Sequence, residues 1–237
     1  MIINSVVAAK AGRFVRATVR DNKSRYTTLW GHAYLPDLIN AVKERYGFVR
    51  VPELIVDLEV SDTHPATFQH GKFVNDERSI LIKQLDVYTN WVIATTESST
   101  SDADAFLSDI TAWFSSSYFT VVSSPYVTYL SQLEVVLDAS FGKAATFFNQ
   151  ARVTFANALA SYQEKLPPDV EMSGFSLHYD TTKRPNDLAA SAFTIERRVG
   201  RSYGDNVYFT QAPLTTSDHI EVLREIETGL RVQLSPT

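Results

Sequence analysis

Cysteine is absent from this chain of 237 residues. Disulfides, thiolate catalysis and cysteine–zinc sites are thereby excluded, and the redox compartment is left open. Long apolar runs are missing too. No stretch approaches the ~18 residues of a membrane-spanning helix, so no membrane partner is expected. The opening Met1-Ile2-Ile3-Asn4-Ser5-Val6-Val7-Ala8-Ala9-Lys10-Ala11 has the small-residue ending of a secretory leader. It lacks the basic leading residues and the long apolar centre of one, so the expected location is cytoplasmic.

The chain contains only nine glycines, and Gly71, Gly142, Gly174, Gly200, Gly204 and Gly229 stand singly. This pattern suits turns and caps rather than a phosphate-cradling loop. No Gly-x-Ser-x-Gly turn, zinc-ligand spacing or dinucleotide fingerprint occurs, and no cofactor is expected.

One sign of charge is missing from a long segment. Gln84 to Gly142 holds no Lys or Arg in 59 residues but carries Asp86, Glu97, Asp102, Asp104, Asp109, Glu134 and Asp138. Residues 10–25 show the opposite bias, with Lys10, Arg13, Arg16, Arg20, Lys23 and Arg25 against Asp21 alone. Lys183, Arg184, Arg197, Arg198 and Arg201 form a second basic group. A pI near 5.5 disfavours a nucleic-acid partner. Arg13, Arg16, Arg20, Arg197, Arg198 and Arg201 are therefore the candidate contacts to a protein partner or an anion. Steps of three and four would line the first three along one face of a short helix, where they could instead pair with acids of the same chain.

What the chain does have is core-forming material: 44% hydrophobic residues, including 14 Phe, 11 Tyr and three Trp. Residues 1–30 are poorly periodic. Pro36 to Tyr46 reads as a helix with Leu38, Ile39 and Val42 on one face and Gly47 at its end. Alternation at Leu54–Val60, and apolar runs at Phe68–Val74, Ile80–Tyr88 and Trp91–Thr96, predict strands, the last two joined at Thr89-Asn90. A Ser/Thr-capped helix follows from residues 98–102 to about Ser116. Then come a strand at Tyr126–Leu137 and a long helix from Phe141 to about Lys165 that ends before Pro167-Pro168. That helix is expected to be the central core element through Phe148, Ala151, Phe155 and Leu159. Strands at Phe175–Tyr179, Ala192–Arg198 and Val207–Gln211, and a capped helix at Thr216–Gly229, complete the chain.

Thr100-Ser101-Asp102 with Leu107 and Ile110 recurs as Thr216-Ser217-Asp218 with Leu223 and Ile226, and Asn90 recurs as Asn206, always 116 residues on. The expected architecture is thus a single compact α+β domain over 1–237. Its sheet is mainly antiparallel, with two capped helices and one long central helix. It reads as a tandem duplication of a hairpin-plus-helix unit, with copies at about 50–116 and 170–230 joined by the strand and helix at 126–165.

The chemistry-bearing candidates are few. Asp57 and Glu59 share one face of a strand, and Asp62, His64 and His70 follow. Oxygen ligands with imidazole could hold a divalent metal and activate water, although outward carboxylates on a half-buried strand are ordinarily solvated. His32, His178 and His219 are isolated, and a lone histidine is more often hydrogen-bonded or solvent-facing than catalytic. The favoured function is a non-enzymatic protein-binding or self-assembling protein, a homo-oligomer or a partner of another protein, using complementary basic and acidic patches. The alternative is a metal-dependent phosphate-ester hydrolase with Asp57, Glu59, His64 and His70 as ligands and Arg197, Arg198 and Arg201 on the phosphate.

Overall fold

The computed structural model describes residues 1–18, 26–27, 35–53, 60–61, 63–75, 78–117, 120–138, 141, 149–163, 170–178 and 191–234. The elements in chain order are β1 (Ile2–Thr18), β2 (Tyr26–Thr27), α1 (Leu35–Tyr46), β3 (Ala66–Asn75), β4 (Arg78–Val87), β5 (Trp91–Thr96), α2 (Thr100–Ser117) and β6 (Thr120–Val136). They continue with α3 (Asn149–Gln163), β7 (Gly174–Leu177), β8 (Phe193–Arg197), a 3₁₀ turn (Tyr203–Asp205), β9 (Val207–Ala212) and α4 (Thr216–Leu234). Every pairing whose register is described is antiparallel, which makes the chain an α+β protein. The predicted strand Leu54–Val60 falls largely outside the described residues.

The chain divides into two compact units. One comprises Val6–Gln132 with Pro213–Thr216, the other Met1–Ser5, Leu133–Ala212 and Ser217–Thr237. In the first the strand order is β3-β4-β5-β1-β6, with β2 paired to β1. The expected Thr89-Asn90 turn joins β4 to β5, with Val87 opposite Val92 and the Tyr88 N–H donating to the Trp91 carbonyl at 2.7 Å. Leu38, Ile39, Val42 and Tyr46 of α1 are buried, as are Ala103, Phe106, Leu107, Ile110 and Phe114 of α2. The two helices meet at an edge-to-face contact of Tyr46 with Phe106, centroids 5.0 Å apart. Each such enclosed large side chain contributes about 1.5–3 kcal/mol of transfer free energy. At Gly71 a Cβ would lie 2.5 Å from the Phe48 ring, so only glycine lets that ring sit over the strand.

The start of α2 is closely knit. Ser99 Oγ accepts from the Asp102 N–H at 3.1 Å, satisfying one of the free first-turn donors. The Thr100 N–H donates to Thr216 Oγ1 at 3.0 Å, and the Thr216 N–H donates to Thr100 Oγ1 at 2.8 Å. Further along, the hydroxyls of Ser108, Thr111 and Ser115 donate to carbonyls one turn back, which lets this serine-rich helix run on to Ser117.

Residues 1–18 depart from expectation. Arg13 and Arg16 lie on the 17-residue strand β1, not on a helix. Ala8, Ala9, Ala11 and Gly12 on that strand are all buried. A strand flanked by neighbours and covered on both faces need not alternate, and small residues signal β structure weakly.

In the second unit the order is β6-β9-β8-β7. Its interior joins Phe141, Phe193, Ile195, Tyr208 and Leu223, with Phe141 edge-on to Tyr208 at 5.2 Å and to Phe175 at 5.5 Å. The final helix passes through Gly229, expected near its end, and continues to Leu234. One internal glycine costs only about 1 kcal/mol, and Arg231, two residues beyond it, is tied to Asp138. The described part of the long helix has no buried residue, Ala151 being exposed and Leu159 intermediate, while Phe148 lies outside the described residues. Within the described residues it spans Asn149–Gln163, and Phe155, expected at the centre of the core, is 55% exposed.

Candidate interaction surface

Each acid of the segment without basic residues has a partner inside its own unit. Asp104 receives a two-pronged contact from Arg13, at 2.6 and 3.0 Å, and Asp109 accepts from Arg45 and from the Tyr46 hydroxyl at 2.7 Å. Asp102 pairs with Arg78, Glu97 with Lys83, and Glu134 with Arg198. Asp138 pairs with the Met1 ammonium and Arg231. Asp86 accepts from the Thr67 hydroxyl and the Gln84 amide. Arg13 thus takes the same-chain pairing that the sequence allowed. Burial and the hydrogen bond to Asp109 both raise the Tyr46 hydroxyl above its ordinary value.

The second basic group separates residue by residue. Arg197 is buried, donates to Glu171 at 2.9 Å and to the Tyr203 carbonyl at 2.6 Å, and lies against the rings of Tyr203 and Tyr208. It holds β8 to the following turn. Arg198 is half-exposed beside Glu134, and Arg201 is exposed in the turn. Arg20 lies outside the described residues, and so does the Arg16 side chain.

Asp57, Glu59 and Asp62 also lie outside the described residues. His64 sits in a turn where its N–H donates to Ser61 Oγ. His70, exposed on β3, adopts a left-handed φ of 58°. Among the described residues no group of three or more His, Asp and Glu is close enough to hold a metal. A cavity of about 400 Å³ beside Arg45, Tyr46, Lys72 and Asp109 has its arginine and carboxylate already joined. A second of the same volume is lined by Arg50, His64, Thr67 and Gln69.

His219, in the first turn of α4, is fully buried. Its Nε2 lies 2.6 Å from Thr210 Oγ1, its ring stands edge-on to Phe193, and its Nδ1 has no hydrogen-bond partner among the described residues. Burial pulls its pKa down to about 4. The ring is therefore a neutral core group, in line with the hydrogen-bonded role that sequence suggested.

The surface that does stand out is α3. Its face Ala151, Phe155, Ala158 and Tyr162 recurs at steps of three and four and is exposed along its length, Tyr162 to 82%. Arg152 is the helix's one charged residue. Solvent-facing helices ordinarily carry charge on their open side, and exposed apolar patches of this kind mark interaction sites. Periodicity located the stripe in sequence but could not distinguish a core face from a docking face; the scarcity of charge was the signal that could have. No known protein family matches this sequence, and no curated protein is significantly similar to it.

Proposed function

We propose that this chain is a non-enzymatic self-assembling protein that docks through the apolar face of α3. The observation that carries this reading is the open stripe of Phe155 and Tyr162 on a helix with a single charge. The acids first read as half of a charged docking patch are paired internally, which moves the weight of contact from charge to apolar area. Burying two aromatic side chains supplies several kcal/mol.

The same reading takes the chain as a tandem duplication. Three successive strands, β3-β4-β5 or β7-β8-β9, lead inward in each unit to the strand that opens it, β1 or β6. A helix lies between that opening strand and the three, and another follows them. Thr100 and Thr216, which exchange hydrogen bonds, stand 116 residues apart, as do Gly12 and Thr128, whose hydroxyl donates to the Gly12 carbonyl. At the same spacing Ile39, Val42 and Tyr46 of α1 correspond to Phe155, Ala158 and Tyr162 of α3.

Light scattering coupled to size exclusion tests the assembly. A mass of at least twice 26.6 kDa is expected for the wild type, falling to the single-chain mass in Phe155→Glu/Tyr162→Glu. A wild type that stays at the single-chain mass into the hundreds of micromolar overturns the proposal.

A further inference from the structure

In the first unit Tyr46, at the end of the apolar face of α1, meets Phe106 and Trp113 of α2, and Phe106, Ile110 and Phe114 of α2 are sealed, none more than 1% exposed. The spacing of 116 carries those three positions to Val222, Ile226 and Leu230 of α4, which are only partly buried. It carries Ile39, Val42 and Tyr46 of α1 to Phe155, Ala158 and Tyr162 of α3, which are exposed. Among the described residues the α3 half of such a contact is therefore exposed and the α4 half only partly covered, whereas in the other unit Tyr46 joins the corresponding helices.

We infer that the occupant of each open face is a second copy of this chain: α3 of one copy seats on the Val222–Ile226–Leu230 row of α4 in the other, and the reverse. This rests on the reading of the chain as self-assembling, and it names the partner surface. Three observations support it. Each copy brings one α3 face and one α4 row, so two copies related by a two-fold axis cover all four, the closed arrangement that favours a dimer. The charges suit each other: α3 carries only Arg152, while the exposed charges of the first two turns and middle of α4 are Asp218, Glu221 and Glu225 against Arg224; Glu227 and Arg231 are paired with each other and with Met1 and Asp138. Phe155 and Tyr162 alone leave roughly 200–300 Å² open per copy. The two contacts together then come to on the order of 1,000 Å², about what a specific interface needs.

The absence of cysteine makes the test clean. Arg45 and Asp109 bridge α1 to α2 at 3.2 Å, and their counterparts at the same spacing are Ser161 and Glu225, both exposed. Ser161→Cys and Glu225→Cys chains, each otherwise intact, are co-expressed and treated with a short bismaleimide, and each is also treated alone. A covalent dimer from the pair, with little from either variant alone, is the expected result. A dimer from Ser161→Cys alone would place α3 on α3 and overturn this arrangement while leaving self-assembly standing. A cross-link at single-chain mass in the doubly substituted chain would place α3 on its own α4, and would overturn it equally. So would the absence of cross-linking in a sample that light scattering shows to be dimeric. A sample of single-chain mass would remove both proposals at once.

Discussion

Exchanging Thr100 for valine keeps shape and β-branching and deletes one oxygen. That oxygen accepts the Thr216 N–H at 2.8 Å, and neither threonine is more than 8% exposed. The variant therefore leaves a buried N–H with no acceptor and a methyl group in its path. The cost is the desolvation of the stranded donor, about 1–3 kcal/mol, rather than the smaller net worth of an average hydrogen bond. Thr216→Val strands the Thr100 N–H in the same way, from a bond of 3.0 Å. Since the two threonines are in direct contact, the double variant measures their coupling rather than a simple sum. Thr100→Ser keeps the oxygen and should cost well under 1 kcal/mol. Urea unfolding read by fluorescence, with slopes compared to check that one transition is followed, measures all four. If Thr100→Val matches Thr100→Ser to within about 0.5 kcal/mol, water reaches the N–H and the argument from burial fails.

How far the sequence carries can be judged from individual elements. The sequence pattern predicts Trp91–Thr96 with its observed bounds, and α1 and α2 to within a residue or so, because their apolar positions sit on one face and Ser/Thr or Pro-Asp signals mark their starts. β1 was lost because Ala8, Ala9, Ala11 and Gly12 carry no alternation, their burial coming from neighbouring strands far along the chain. The interaction surface failed for a subtler reason. Phe155 and Tyr162 follow the same spacing as Ile39 and Tyr46, and helical period reports only that a stripe exists, not whether a sheet covers it. Likewise the charge asymmetry was real, but its resolution depended on pairings such as Arg13 with Asp104, 91 residues apart, which no local pattern encodes.

Ile39→Ala and Phe155→Ala make a matched pair: the first, in a packed core, should cost about 2–5 kcal/mol, the second well under that at single-chain concentrations, and equal costs would contradict the exposure of α3. Gly71→Ala should be strongly destabilising because its Cβ meets the Phe48 ring at 2.5 Å, with Gly71→Ala/Phe48→Leu recovering part of the loss; an unchanged midpoint for the single variant would refute the close approach. Acid should weaken the second unit through His219. Its imidazole ordinarily titrates near 6.5 but is held down to about 4 when folded, so the unfolded chain takes up a proton first as pH falls. The native state is then at no disadvantage above about pH 6.5 and loses stability progressively down to about pH 4, by roughly 3 kcal/mol in all. The relevant quantity is the difference between wild type and His219→Gln across that window, which cancels every other group. A glutamine cannot be protonated there, and its stability should fall less steeply; parallel curves would mean that His219 is solvated enough to titrate as it does in the unfolded chain.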